Sequence, residues 1–296
     1  MGLPPAFAGV DPTYKLSEGS TSVLQARSWL PRTQGSVRLE LARRGEQTAL
    51  QVLHQSGAAR VRFPSPAEGA PPEAVLLNTA GGLTGGDRID IAVTLAAGAE
   101  ATVTTAAAEK IYRARDGEAE IGVELALAPG ARLAWLPQPT ILFDQSRLNR
   151  KTEAALAGDA SLLAIETLIF GRAAMGEDVR HGACRDAWQV RRDGALVFAD
   201  AFRVEGAVAD GLNHPATLDG ARAVAMLLYV APDAAVRVDK ARAMLESAAG
   251  LTAGASTWNG LLLVRAMAAD GRALQQVIAP LAEWLSGRPL PRVWQC

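Results

Sequence analysis

A mainly β chain, built as a solenoid-like stack of short strands in layered sheets with about two α-helices near its C-terminus, is predicted by three features of this sequence. First, from Ser36 to Phe170 apolar residues alternate with period two in short runs separated by turn residues. Second, three turns resemble one another: Leu95-Ala96-Ala97-Gly98-Ala99-Glu100-Ala101, Leu127-Ala128-Pro129-Gly130-Ala131-Arg132-Leu133 and Leu156-Ala157-Gly158-Asp159-Ala160-Ser161-Leu162. Their glycines recur at intervals of roughly thirty residues, the period of a strand-corner-strand coil. Third, helical spacing of apolar residues is confined to the last third. A sandwich of short strands is the alternative architecture for the same pattern.

The elements follow in order. Residues 1–35 contain Pro, Gly and Ser with little periodicity, which predicts a loose arm; 36–296 then form one domain. Val37, Leu39 and Leu41 point one way in the first strand, and Leu50 and Val52 fall in the next. Further strands are expected at Glu73–Leu77, Ile89–Val93, Ala101–Thr105, Ile121–Leu127, Arg132–Leu136, Thr140–Phe143 and Leu162–Phe170. Trp188-Gln189-Val190 and Leu196-Val197-Phe198 flank Arg192-Asp193-Gly194, a hairpin signal. Asp239–Ala249 carries Ala241, Leu245 and Ala248 at helical spacing and stops at Gly250. Trp258–Met267 reads as one strand. Arg272–Ser286 places Leu274, Val277, Ile278, Leu281 and Leu285 on one helical face, with a kink or break expected at Pro280.

Composition excludes several classes. The 296 residues carry a net charge of −1 with no basic block, so no electrostatic footprint for nucleic acid exists. The longest apolar run, Ala223–Ala231, falls far short of the about 20 residues that span a bilayer. The N-terminus lacks a secretory pattern, so a cytoplasmic location without membrane attachment is expected. Cys184 and Cys296 do not form a disulfide framework. Among His54, His181 and His214, only His181 lies near a cysteine, at a spacing that could share a metal on a helix. No nucleophile elbow or zinc-protease motif occurs, and an enzyme is not expected.

The densest motif is Gly81-Gly82-Leu83-Thr84-Gly85-Gly86-Asp87-Arg88. Its glycines imply a special backbone or a close approach. It is read as a structural turn or as an amide cradle for an anion. It is not a phosphate-binding P-loop, because Asp87 follows where Lys-Ser/Thr is required. Three carboxylates invite attention: Asp87 after the glycines, Glu166 inside the apolar strand Leu162–Phe170, and Glu177 in Gly171-Arg172-Ala173-Ala174-Met175-Gly176-Glu177. A charge in so apolar a strand must be paired, hydrated or liganded. Ion pairs, with Arg88 and Arg172 as nearest candidates, are one reading; a polar path of hard oxygen ligands for a divalent cation is the other.

The ordered set of blocks resembles the UreD (UreH) family of urease accessory proteins. The blocks are the glycine motif through Arg88, Thr104–Arg113 with Lys110, Tyr112 and Arg113, Trp135-Leu136-Pro137 through Asp144, Gly171–Glu177 with Arg172 and Gly176, and the terminal Pro291-Arg292-Val293-Trp294. They span nearly the whole chain. The resemblance implies a non-catalytic assembly factor that binds urease apoprotein and recruits UreF and, through it, the GTPase UreG, for GTP-dependent nickel delivery. It implies no tightly bound cofactor, only transient Ni²⁺, and a mainly β fold with two helices. Asp200 stands where the family often has glutamate and is expected to serve in its place. Dispersed acids bind nickel weakly enough to release it, whereas thiolates and clustered imidazoles would retain it. Asp87, Glu166, Glu177 and Asp200 are therefore the expected path residues, and the surface near the last helix and Trp294 the expected partner interface. A scaffold like those that build iron–sulfur clusters, or a metal-binding regulator, are the competing classes.

Overall fold

A computed structural model describes residues 32–65, 70–172, 176–246 and 250–295. They belong to one unit that begins at Arg32. The expected arm falls outside the described residues up to Pro31, and Gln34 and Gly35 already belong to the first strand.

Two sheets face each other. The first runs in the order β14 (Ala195–Ala207), β13 (His181–Arg192), β11 (Arg147–Leu156), β8 (Ala119–Leu127), β5 (Arg88–Leu95), β1 (Gln34–Arg44), β2 (Gln47–Gly57). The second runs β16 (Leu251–Trp258), β17 (Leu261–Ala268), β15 (Ala223–Val230), β12 (Ser161–Phe170), β9 (Arg132–Leu136), β6 (Glu100–Thr105), β4 (Glu73–Asn78), β3 (Ala59–Arg62). A short branch carries β10 (Thr140–Leu142), which pairs with β12 and with β7 (Glu109–Ile111).

From β4 to β13 the chain passes repeatedly from one sheet to the other, and strands from successive passes pair in parallel. Parallel neighbours need a crossover; here each crossover is a strand of the facing sheet, which makes a solenoid-like coil. The three similar turns are its stacked corners. Leu41, Leu95, Leu127 and Leu156 lie in register and are all buried. The leucine carbonyls accept from the amides of the next corner: Ala96 N donates to Leu41 O, Ala128 N to Leu95 O and Ala157 N to Leu127 O. Gly98, Gly130 and Gly158 turn the chain at φ of 66°, 70° and 56°, values that side chains disfavour.

Two hairpins lie at the end of the stack formed by the later strands. Between β13 and β14, Asp193 and Gly194 have φ of 49° and 81°, as an Asp-Gly hairpin turn requires. The single strand expected over Trp258–Met267 is corrected to a second hairpin. Trp258 ends β16, Asn259 and Gly260 turn at φ of 47° and 72°, and β17 follows. The Asn-Gly signal was present but masked by the continuous apolar run.

Helices α2 (Val238–Glu246) and α3 (Gly271–Ser286) are the two expected C-terminal helices; a short α1 (Val208–Asn213) is additional. Residues 247–249 of the expected first helix lie outside the described residues. Asp270 caps α3 by accepting a bond from Ala273 N at 2.8 Å, and Gly287 ends it at φ 68°. Of the kink or break expected at Pro280, the break does not occur: the helix runs through it. The missing N–H frees the Gln276 carbonyl on an exposed face, where water can satisfy it.

The strand β12 is buried on both faces. Leu162, Ala164 and Leu168 face the first sheet, while Leu163 and Ile165 join the layer under α2 and α3. Burying Leu274, Ile278 and Leu281 of α3 there contributes about 1.5–3 kcal/mol per side chain before entropy costs. Among the described residues no helix is long and apolar enough to cross a membrane.

Candidate functional site: a buried ion cluster beneath an inter-sheet cavity

The apolar layer between the sheets is interrupted at one place. In the first sheet, Arg150 of β11 lies in register with Asp186 of β13. Arg150 Nε and Nη2 reach the two Asp186 carboxylate oxygens at 3.0 and 2.7 Å. Nη1 donates to Thr140 Oγ1 at 2.9 Å. From the facing sheet, Glu166 Oε1 comes within 2.7 Å of Arg150 Nη2. All three charged side chains are about 95% buried, at 5–6% exposure.

Burial is the largest influence on the titration of Glu166, Arg150 and Cys184. It pushes the Glu166 carboxyl up to about 8, against the pull of Arg150 and with the help of Asp186. For Arg150, burial opposes the charge, but Asp186 and Glu166 outweigh it and hold the guanidinium above its ordinary pKa. Cys184, two residues from Asp186 on the same face of β13, is pushed up to about 12 by burial and then by Asp186. The polar line extends inward to β7. There Asn78 Nδ2 donates to both Glu109 oxygens at 3.1 and 3.2 Å, and burial raises the Glu109 carboxyl despite that bond.

Outward, Glu166 and Asp186 border a cavity of about 470 Å³ between the sheets. Trp188, Met226, Asp200 and Arg265 also line it. Arg265 Nη2 pairs with Asp200 Oδ2 at 2.7 Å, linking the two sheets a second time and with reversed polarity. The cross-strand registers explain the grouping. Glu166 faces Met226 and Met226 faces Arg265 in the second sheet, while Trp188 faces Asp200 in the first. The buried Trp188 Nε1 and its cross-strand neighbour Thr152 Oγ1 have no hydrogen-bond partner among the described residues.

The remaining expected residues sit elsewhere. Asp87 is buried, accepting from Thr33 N at 2.7 Å and Thr84 N at 2.8 Å, so its carboxylate staples the glycine loop. Arg88 pairs with Asp90 and Glu120 rather than with Asp87. Glu177 pairs with Arg172 at 2.6 Å. Neither Asp87 nor Glu177 lines the cavity.

The family-like blocks converge on a second feature, a ladder of loops. Leu83 N donates to Lys110 O, Tyr112 N to Leu83 O, Phe143 N to Ile111 O and Gly171 N to Leu142 O. Tyr112 OH reaches Gly81 O at 3.1 Å. Its ring meets Phe143 edge-on at 5.0 Å, and the Arg172 guanidinium stacks on Phe143 at 4.4 Å. Gly82 and Gly85 are steric necessities. A Cβ on Gly82 would lie 2.3 Å from the Tyr112 ring, and one on Gly85 2.1 Å from Asp116 O. Gly86 turns at φ 86°. The amides of Gly81, Leu83, Thr84, Gly86 and Asp87 already donate within the protein, which favours the structural-turn reading over an anion cradle.

Lys110, Arg113, Arg172 and Gly176 are exposed on these loops, and Pro137 is half-buried. Trp135 is buried between the sheets. Trp294 is also buried, its Nε1 donating to Leu136 O at 3.1 Å, so its side chain anchors the C-terminal segment rather than offering a surface. His181 and Cys184 lie on a strand, with His181 exposed and Cys184 buried, so the helical metal spacing does not apply. Among the described residues no three His, Cys, Asp or Glu side chains group closely enough to hold a resident metal.

Arg150 and Asp186 escaped the sequence reading. β11 and the first half of β13 were not foreseen as strands, because Arg150, Thr152 and Asp186 occupy inward positions where alternation expects apolar residues. The one available signal was the uncompensated Glu166, which demanded a buried cation from elsewhere in the chain.

The family model described as UreD urease accessory protein matches residues 33–295. The urease accessory protein UreD of Methylobacterium sp. (strain 4-46) is 50% identical over 255 residues, 85% of this chain and 90% of the relative. That of Xanthobacter autotrophicus is 45% identical over 278 residues, 94% of this chain and 95% of the relative. That of Azorhizobium caulinodans is 46% identical over 263 residues, 89% and 96% of the two chains.

Proposed function

The chain belongs to the UreD family of urease accessory proteins, and on that premise we propose that it is a non-catalytic cytoplasmic maturation factor. It binds urease apoprotein and recruits UreF and, through it, the GTPase UreG, for GTP-dependent nickel insertion. The observation that carries this reading is the family match over residues 33–295, nearly the whole described fold. The ladder of loops bearing Lys110, Tyr112, Arg113 and Arg172 is the proposed partner-facing surface, since it gathers the family-like blocks on exposed positions.

Nickel is cargo in this reading. Glu166 and Asp200, with Asp186, are proposed as the carboxylates that meet it, because they border one cavity. Asp87 and Glu177 support the path indirectly, by holding the glycine loop and the Arg172 loop in place. Oxygen donors suit a handover step better than sulfur would. Cys184 supports neither a cluster scaffold nor a thiolate store, because its buried thiol is pushed up to about 12.

Copurification tests the assembly role. Tagged chain should retain urease apoprotein, and should retain UreG only when UreF is present. Retention of UreG without UreF, or no retention of urease, would overturn the proposed order of contacts.

A further inference from the structure

We propose that Arg150 sets the cation affinity of the cavity floor, competing with the metal for Glu166 and Asp186 so that the floor binds weakly and releases readily. The inference rests on the nickel-path reading and adds a positioning residue to it.

The floor holds two acidic side chains and one guanidinium, the latter hydrogen-bonded to Asp186 and Thr140 and in contact with Glu166. Arginine does not lose its proton under protein conditions, so this internal cation is permanent. Both Asp186 oxygens and one Glu166 oxygen already face it at 2.7–3.0 Å. A divalent cation entering from the cavity must therefore take carboxylate oxygens from a bidentate, charge-assisted partner. It must also approach a like charge where little water screens the repulsion.

A second observation is a donor without a partner at the same cavity. Trp188 Nε1 borders the cavity, is 98% buried by residue and has no partner among the described residues. Such a donor is rarely left empty in a native interior, and a water shell brought in with a hydrated cation would meet it. The same carboxylates without Arg150 would form a simple two-acid site of ordinary, tighter affinity. Arg150 thus converts a potential store into a transfer point.

The test is Ni²⁺ titration by calorimetry on the full chain, within its accessory complex where that is how it purifies. Arg150→Gln should bind Ni²⁺ about tenfold more tightly or better, the direction that relief of like-charge repulsion requires. Because that variant buries two uncompensated acids, the double variant Arg150→Gln with Asp186→Asn is the second arm, and it should bind more tightly than Asp186→Asn alone, which offers the same oxygens with the arginine present. Binding by the folded double variant that is no tighter than that of Asp186→Asn overturns the proposal, since a merely structural arginine does not raise affinity when removed. Glu166→Gln is the separate control. If saturable Ni²⁺ binding persists unchanged in Glu166→Gln, the cavity-floor path itself is wrong, whatever Arg150 does.

Discussion

Arg265 Nη2 lies 2.7 Å from Asp200 Oδ2, and this pair ties β17 to β14 across the cavity. Both side chains keep solvent contact, at 59% and 28% exposure, unlike the Arg150 cluster deeper in the same layer. Among the described residues, two ion pairs of opposite sense and very different dielectric surroundings therefore span the two sheets.

The outer pair is expected to matter little for stability. Exposed ion pairs contribute about 0.2–1 kcal/mol, so Arg265→Ala should lower a thermal midpoint only slightly. Equilibrium denaturation of Arg265→Ala against the parent checks this, and a loss as large as that of a core truncation would show that the pair is structurally essential.

The inner cluster should give a pH signature. Folding raises the Glu166 carboxyl from its ordinary value to about 8. The folded state then holds a proton that the unfolded chain has released, so stability falls as pH rises through this window. Above about 8 the full cost of burying the charge is present. Glu166→Gln removes the titration, so its stability relative to the parent should improve steadily between about pH 5 and pH 8. Denaturation midpoints of both proteins across that range measure the difference; parallel curves would contradict the assignment.

Cys184 should be chemically silent in the native state. Its thiol is buried and pushed up to about 12, and only the thiolate reacts. In a Cys296→Ser background, a thiol reagent at pH 8 should label the folded protein only as fast as it unfolds. Rapid labelling would mean that the interior at β13 opens readily.

The glycine loop gives a graded prediction. Gly85 has backbone oxygens where a Cβ would sit, whereas Gly81 has open space and a φ of 76°. Gly81→Ala should cost about 1–2 kcal/mol, the left-handed backbone penalty. Gly85→Ala should cost more and disturb the Asp116 loop. Thermal melts rank the two, and an equal effect would remove the steric account.

Much of this architecture was legible in the sequence because it is written in local chemistry. The corner glycines at 98, 130 and 158, the Asp193-Gly194 turn and the helix end at Gly287 each act within a few residues. The cluster was legible only from one side. Glu166 stood out against its apolar strand, but its partners Arg150 and Asp186 are brought to it by register between distant strands, and their own strands lost their alternation by carrying them. Asp87 looked like a ligand from its neighbours. Only the folded loop shows that its oxygens are consumed by the amides of Thr33 and Thr84.

The central claim is that this chain supports nickel delivery to urease through the carboxylates of its inter-sheet cavity. The most direct measurement is the nickel content of urease coexpressed with the accessory proteins and either the parent chain, no chain, or Glu166→Ala, with complex formation followed by copurification. The account predicts nickel-replete urease with the parent, little nickel without the chain, and a marked deficit with Glu166→Ala although the complex still assembles. Full nickel loading by Glu166→Ala would contradict the cavity path, and full loading without any chain would contradict the maturation role altogether.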